Sequence, residues 1–264
     1  MPLTLPSTVG LDVRDELAIV TLARARKRNA IDTETLLGLE RVFTHLPDSV
    51  RAVVLHGDGD HFCAGLDLSD LGDAGIEAGL HHSRMWHRVM GAIQNGTVPV
   101  VSVLRGAVIG GGLELASASH IRVAEPSTFY ALPEGQRGLF LGGGGSVRLS
   151  RLIGVARMTD MMLTGRVYDA AEGHAAGLSH YLVGEGAAFD TALQLAGKVA
   201  QVAPMTTYAV LQALPRIADV APQEGYLLES LMAAVASSSE EAQARMRAFL
   251  EGRAAPVSAP EAPQ

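Results

Sequence analysis

The chain has few of the residues that mark a secreted, nucleic-acid-binding or membrane protein. One cysteine, Cys63, among 264 residues excludes an internal disulfide framework and suits a reducing compartment. Acidic residues outnumber basic ones, 28 against 21, which argues against a phosphate backbone as the main partner. The one dense cationic run is "RARKR" at 24–28. No stretch approaches the roughly 18 consecutive apolar residues that a membrane-spanning helix needs. The opening "MPLTLPSTVG" has neither the charged segment nor the long apolar segment of a signal peptide. These absences predict a cytoplasmic protein with no nucleic-acid and no membrane partner. Aromatic residues are also scarce, with a single tryptophan, Trp86, so aliphatic side chains must fill the core.

Glycine is abundant and clustered. The stretch 108–116 reads "VIGGGLELA": three glycines run into an apolar segment that carries one acid, Glu114. Glycine costs roughly 0.5–1 kcal/mol relative to alanine inside regular structure. Three in succession imply that the backbone itself has a task there.

The pattern around this stretch alternates between strand and helix. "LDVRDELAIVTLA" (11–23) is two short alternating runs about a polar turn, a hairpin. "DTETLLGLERVFTHL" has helical spacing behind Asp32, and "RAVVLHG" and "PVVSVLRG" are compact apolar strands. "GLHHSRMWHRVMGAIQ" and "LELASASH" read as helices, and "HIRVAEPSTFYAL" as two further strands. This alternation predicts an α/β fold with crossover connections. From Ala188 the strand signal stops and four amphipathic helices follow, "AAFDTALQLAGKVAQVAP", "MTTYAVLQALPRI", "PQEGYLLESLMAAVA" and "SSEEAQARMRAFLEGR"; the last starts at serines backed by Glu240 and Glu241. The expected organisation is a catalytic core over 1–187, a helical region over 188–253, and a disordered Pro/Ala-rich tail over 254–264.

Two glycine-led loops follow apolar strands directly: "HFCAGLDLSDL" (61–71) and "RGAVIGGGLELA" (105–116). Loops at the carboxyl ends of strands are where α/β sheets bind ligands. Two N–H groups from such loops, one at a helix start, form an oxyanion hole. Neither loop is a nucleotide-binding glycine fingerprint. "GGGGS" at 142–146 is either an anion nest or, as the preferred reading, a tight helix-entry turn. Glu114, taken alone, complements a helix dipole as readily as it does chemistry, and Glu134 after Pro133 is by default a solvated acid. Cys63 has no evident activating base and reads as a packing residue. His81, His82 and His87 lack the i, i+4 pairing of a helical metal site and read as surface or pocket-lining residues.

Together "HFCAGLDL", "GAVIGGGLELA", "LPEGQRGLFLGGGGSVRL" and "RKRNAID" resemble the four signature blocks of the crotonase, or enoyl-CoA hydratase/isomerase, superfamily, over residues 11–253. The resemblance implies a spiral of repeated β-β-α units with a C-terminal helical region. It assigns the oxyanion-hole amides to Leu66 and Gly111, and catalysis to Glu114 and Glu134, at the spacing of hydratases. On that likeness Glu134 protonates the α carbon and Glu114 orients and activates water. Coenzyme A would meet Arg26, Arg28, Asn29, Ala30, Ala64 and Asp67, although Asp67 could equally hold its loop. No metal and no separate cofactor is implied, since coenzyme A is part of the substrate. The C-terminal helices, Phe249 included, are similar to those that build homotrimers or homohexamers. The third block departs from the usual family pattern, with Gly142 or Gly143 in place of a proline and Gln136 and Arg137 where apolar residues are usual. This implies an acyl pocket more polar than, or shaped differently from, that of a fatty-acid hydratase. The combination "AVIGGGLELA…YALPEGQRG…GGGGSVRL" is most similar to the methylthioacryloyl-CoA hydratases. An isomerase, a thioester hydrolase and a non-catalytic acyl-CoA-binding assembly protein are the alternatives.

Overall fold

The structure is a computed structural model that describes residues 3–70 and 75–253; the expected tail, 254–264, lies outside them. The chain forms two compact units, divided between Gln201 and Val202.

In the first unit, β1 (Val9–Arg14) and β2 (Leu17–Leu22) form the expected antiparallel hairpin, turning at Asp15 with φ 51°. Helix α1 (Thr33–Thr44) follows, with the Asp32 side chain accepting from the Thr35 N–H as its N-cap. Strand β3 (Ala52–Gly57), helix α2 (Ile76–Gln94) and strand β4 (Val100–Leu104) come next. After them come β5 (Ala107–Ile109), α3 (Gly111–Ala118), β6 (Ile121–Ala124) and β7 (Phe129–Ala131). The unit is completed by α4 (Gly145–Ile153), α5 (Val155–Thr164), β8 (Tyr168–Asp169), α6 (Ala170–Ala176), β9 (Tyr181–Leu182) and α7 (Ala188–Ala200).

Six strands make one sheet in the order β1-β2-β3-β4-β6-β9, parallel from β2 onward, and β5-β7-β8 make a second. The runs "AVVLHG" and "VVSVL" are apolar at successive positions because the central parallel strands are covered on both faces. Strand periodicity sends Val53, Leu55 and Val100 to the main core with Trp86 and Leu113, and Ala52, Val54, Val101 and Val103 to the opposite face.

That opposite face is covered by α7, whose Ala188, Ala192, Ala196 and Ala200 recur one turn apart and pack flush on the strands. The helix therefore belongs to the sheet unit, and the division falls after it rather than at the expected 187/188. The second unit is helical, as its sequence predicts. The stretch expected as one helix, "MTTYAVLQALPRI", is interrupted: α8 (Pro204–Tyr208) passes through a π-helical turn, Ala209–Ala213, into α9 (Leu214–Ile217). Pro215 has no N–H to continue the α-helical ladder there. Helices α10 (Pro222–Ser238) and α11 (Glu240–Leu250) follow, and the Ser239 side chain caps α11 by accepting from the Ala242 N–H.

Candidate active site

The two glycine-led loops lie side by side. The Cys63 N–H donates to the Ala107 carbonyl (2.9 Å), and the Ile109 N–H donates back to the Cys63 carbonyl (3.1 Å). Gly65 takes φ +96°, and a Cβ there would stand 3.2 Å from the Gly111 nitrogen; a Cβ on Gly111 would stand 3.3 Å from the Leu66 nitrogen. The Leu66 and Gly111 amides are thus neighbours, and neither donates to an acceptor among the described residues. Gly111 is the first residue of α3, so its free N–H also carries the positive end of the helix dipole.

The triple glycine now has a physical reason. Gly110 sits at φ +53°, where side chains are strained, and a Cβ there would come 2.5 Å from Glu134 Oε1. A Cβ on Gly112 would come 2.3 Å from the Cys63 carbonyl oxygen. The loop is glycine because the first loop presses on one side of it and a glutamate on the other.

Glu114, in the first turn of α3, is 3 % exposed. Its Oε1 accepts from the Gly143 N–H (2.8 Å) and the Gly145 N–H (2.7 Å) at the start of α4. Burial pushes its carboxyl above the ordinary range, opposed by those two amides and by the Arg148 guanidinium. The 142–146 glycines are therefore both a helix-entry turn and an anion nest, and the anion is the protein's own carboxylate. Glu134 follows β7 at the start of a short 3₁₀ turn, Gly135–Arg137. Its Oε2 is buried and has no hydrogen-bond partner among the described residues. Burial pushes this carboxyl up to about 7, with its own backbone N–H and Arg137 opposing and the Glu114 charge adding to it.

Leu66, Gly111, Glu114 and Glu134 line a single cavity of about 310 Å³, closed on its apolar sides by residues that include Trp86 and Phe140. The expected site residues of two loops, one helix start and one turn thus meet in one place.

The family profile described as enoyl-CoA hydratase/isomerase matches residues 12–258. The chain belongs to this family. A putative enoyl-CoA hydratase from Rhodopseudomonas palustris has a crystal structure that superposes with a TM-score of 0.92 at 58% identity, over 95% of this chain and 98% of that one. An enoyl-CoA hydratase of Mycobacterium tuberculosis is 31% identical, covering 91% of this chain and 92% of its own. The 2,3-dehydroadipyl-CoA hydratase of Escherichia coli is 30% identical, covering 91% and 94% respectively.

The coenzyme A residues expected of an enoyl-CoA hydratase/isomerase chain fare unevenly. Ala64 lines the cavity. Arg26 and Arg28 are exposed cations without a side-chain partner among the described residues, and Arg26 borders a separate surface depression of about 440 Å³. Asn29 is 1 % exposed and adopts φ 56°. Its Nδ2 donates to the Asp58 carbonyl (2.9 Å) and the His61 carbonyl (2.7 Å), while its Oδ1 accepts from the Arg24 N–H. The Ala30 N–H donates to the Lys27 carbonyl, and its own carbonyl accepts from Arg24. Asp67 lies outside the cavity lining: Oδ2 meets Lys27 Nζ (2.8 Å) and Arg24 (2.9 Å), and Oδ1 meets Ser69. Lys27 and Ser69 hold its carboxyl well below the ordinary range. Of the two readings of Asp67, the loop-holding one matches these contacts.

Cys63 is buried, and desolvation pushes its thiol up to about 12, which suits packing rather than nucleophilic chemistry. Among the described residues no three His, Cys, Asp or Glu side chains are placed to hold a metal ion. Helix α2 also contributes: of the surface and pocket-lining readings of His82 the cavity matches the second, whereas Ser83 and Trp86 were not expected there. Trp86, His82 and Ser83 all line the cavity, with Trp86 Nε1 donating to His82 Nε2 (3.3 Å). "HHSRMW" has no motif of its own, and only the spacing of the helix turns these residues inward.

Proposed function

We propose that the chain is a hydratase-type lyase that adds water across the double bond of a short-chain 2-enoyl-CoA thioester. The observation that carries this reading is a cavity with two free amides and two carboxyls in unlike environments, one held by two loop amides and the other with a buried oxygen lacking a partner among the described residues and a value near 7.

In this reading the thioester carbonyl accepts from the Leu66 and Gly111 N–H groups, where charge develops as water adds. One such donor accounts for about 2.7–4 kcal/mol of transition-state stabilisation. Glu114, with Oε1 fixed by Gly143 and Gly145, has Oε2 left to take a proton from the water. The water oxygen bonds to the β carbon, and the π electrons pass to the α carbon and into the enolate. Glu134, held partly protonated near neutrality by its burial, delivers a proton to the α carbon. Return of the proton from Glu114 to Glu134 resets the pair. Glu134 Oε2, which has no hydrogen-bond partner among the described residues, is left to present its proton to the substrate, which supports its role as donor.

The finer proposal is that methylthioacryloyl-CoA is a substrate. Three block resemblances and a cavity of modest volume, with apolar walls from Leu66, Trp86 and Phe140, support a small acyl group. Water added at a sulfur-bearing β carbon gives a hemithioacetal, which collapses with release of methanethiol. Arg26 and Arg28 are proposed to meet coenzyme A phosphates, and the working assembly is proposed to be a homotrimer or a dimer of trimers.

The pair of variants Glu114→Gln and Glu134→Gln tests the two-carboxyl chemistry. Each is expected to lower turnover of crotonyl-CoA by about 10²–10⁴-fold, with affinity for the CoA thioester kept in calorimetry. Full activity of Glu114→Gln would leave a single-acid reaction, such as isomerisation, as the better account. Methanethiol formed from methylthioacryloyl-CoA, and its absence with an inert analogue, tests the finer substrate.

A further inference from the structure

Glu114 depends on a peptide group that has little intrinsic rigidity. The Gly142–Gly143 peptide donates its N–H to Glu114 Oε1 (2.8 Å). Neither of its residues has a Cβ, and Gly144 beyond it is at φ +90°. A peptide between glycines rotates between orientations at low cost. The flipped orientation would remove the donor and aim the Gly142 carbonyl oxygen at the carboxylate. Something else must select the productive orientation.

Helix α2 does so once directly and once through Arg148 of α4. Ser83 Oγ donates to the Gly142 carbonyl oxygen (2.7 Å), the other end of the same peptide. The next peptide is held as well: Arg148 Nη1 donates to the Gly143 carbonyl (2.9 Å), and Arg148 Nε donates to Gln94 Oε1 (2.6 Å). Ser83 and Gln94 lie about three turns apart on α2 and so share a face. The rigid helix grips the loop at both peptides that flank Gly143, and the loop grips the glutamate.

Resting on the hydratase reading, we propose that Ser83, backed by the Gln94–Arg148 pair, is a positioning residue that locks the Gly142–Gly143 peptide in the orientation that serves Glu114. Ser83 acts here through a peptide and need not touch the substrate. Its hydroxyl is the only donor to the Gly142 carbonyl among the described residues.

The test compares Ser83→Ala with Ser83→Thr, which keeps the hydroxyl. Loss of one hydrogen bond that orients the water-activating group is expected to lower kcat for crotonyl-CoA about tenfold, with KM unchanged in Ser83→Ala and kcat restored in Ser83→Thr. A second readout uses protein labelled with ¹⁵N-glycine. The Gly143 amide proton, deshielded by the carboxylate in the wild type, should move upfield or split into two populations in Ser83→Ala. Wild-type kcat with an unmoved Gly143 resonance would overturn the proposal. So would a raised KM with kcat intact, which would make Ser83 a substrate contact. If the wild type hydrates no enoyl-CoA, the hydratase reading fails by itself, while the Gly143 resonance still decides whether Ser83 holds the peptide.

Discussion

A carboxyl whose protonated form is favoured by burial imposes a stability cost that only function can offset, and Glu134 is such a residue. Its value rises from an ordinary 4.5 to about 7 in the fold. The folded state therefore binds a proton that the unfolded state has released between those two values. Below pH 4.5 both states are protonated and there is no penalty; as pH rises to 7 the penalty grows, and above 7 it is complete. Glu134→Gln is expected to be more stable than the wild type at pH 8, on the order of 2 kcal/mol, with the difference vanishing at pH 4. Thermal melts at the two pH values check this, and equal melting at pH 8 would contradict the burial account. The same titration should appear in kcat/KM for hydration, which is expected to fall as pH rises through about 7, because the donor form of Glu134 is lost. Both glutamates were legible in the sequence because each lies in a signature block of the family, "GAVIGGGLELA" and "LPEGQRGLFLGGGGSVRL". The partners of Glu114 were not: "GGGGS" specifies a turn, but only the fold brings its N–H groups to an acid from another helix.

Among the elements, the central strands and the hairpin were legible because burial on both faces and alternation leave plain apolar patterns. The unit to which α7 belongs and the break before α9 were not. Alanines at helical spacing do not reveal which unit they pack on, and a π-helical turn ahead of Pro215 has no sequence pattern of its own. The loop 23–30 shows a similar ambiguity at its Asn29, which the sequence placed against coenzyme A. In the structure Asn29 is buried in a left-handed conformation, with its amide hydrogen bonds directed to the 58–61 segment. Asn29→Ala removes the donors to the Asp58 and His61 carbonyls from a buried position and is expected to cost about 2–3 kcal/mol of stability in urea titrations. A variant with unchanged stability but lost CoA affinity would restore the ligand-contact reading. Asp67→Asn is expected to loosen the same loop through Arg24 and Lys27, raising KM more than it lowers kcat.

On the scale of the whole molecule, the second unit carries apolar surface that its own helices do not cover. Tyr226, Leu227 and Leu231 of α10, and Phe249 and Leu250 of α11, are exposed, and Leu250 is 78 % accessible. Exposed apolar area of this kind marks association, and sedimentation equilibrium is expected to give a multiple of three protomers. A stable monomer at micromolar concentration would contradict that, and Leu231→Asp is expected to weaken the assembly. The sequence foretold the helices but not which of their faces stay bare, since α10 is apolar around much of its circumference. The central claim, water addition by two glutamates beside a backbone oxyanion hole, is tested most directly by the conjugated-thioester absorbance of crotonyl-CoA with the wild-type protein. The account predicts rapid loss of that absorbance, with 3-hydroxybutyryl-CoA as the product and no free coenzyme A. Unchanged absorbance, or release of free coenzyme A instead of the hydroxyacyl product, would contradict it.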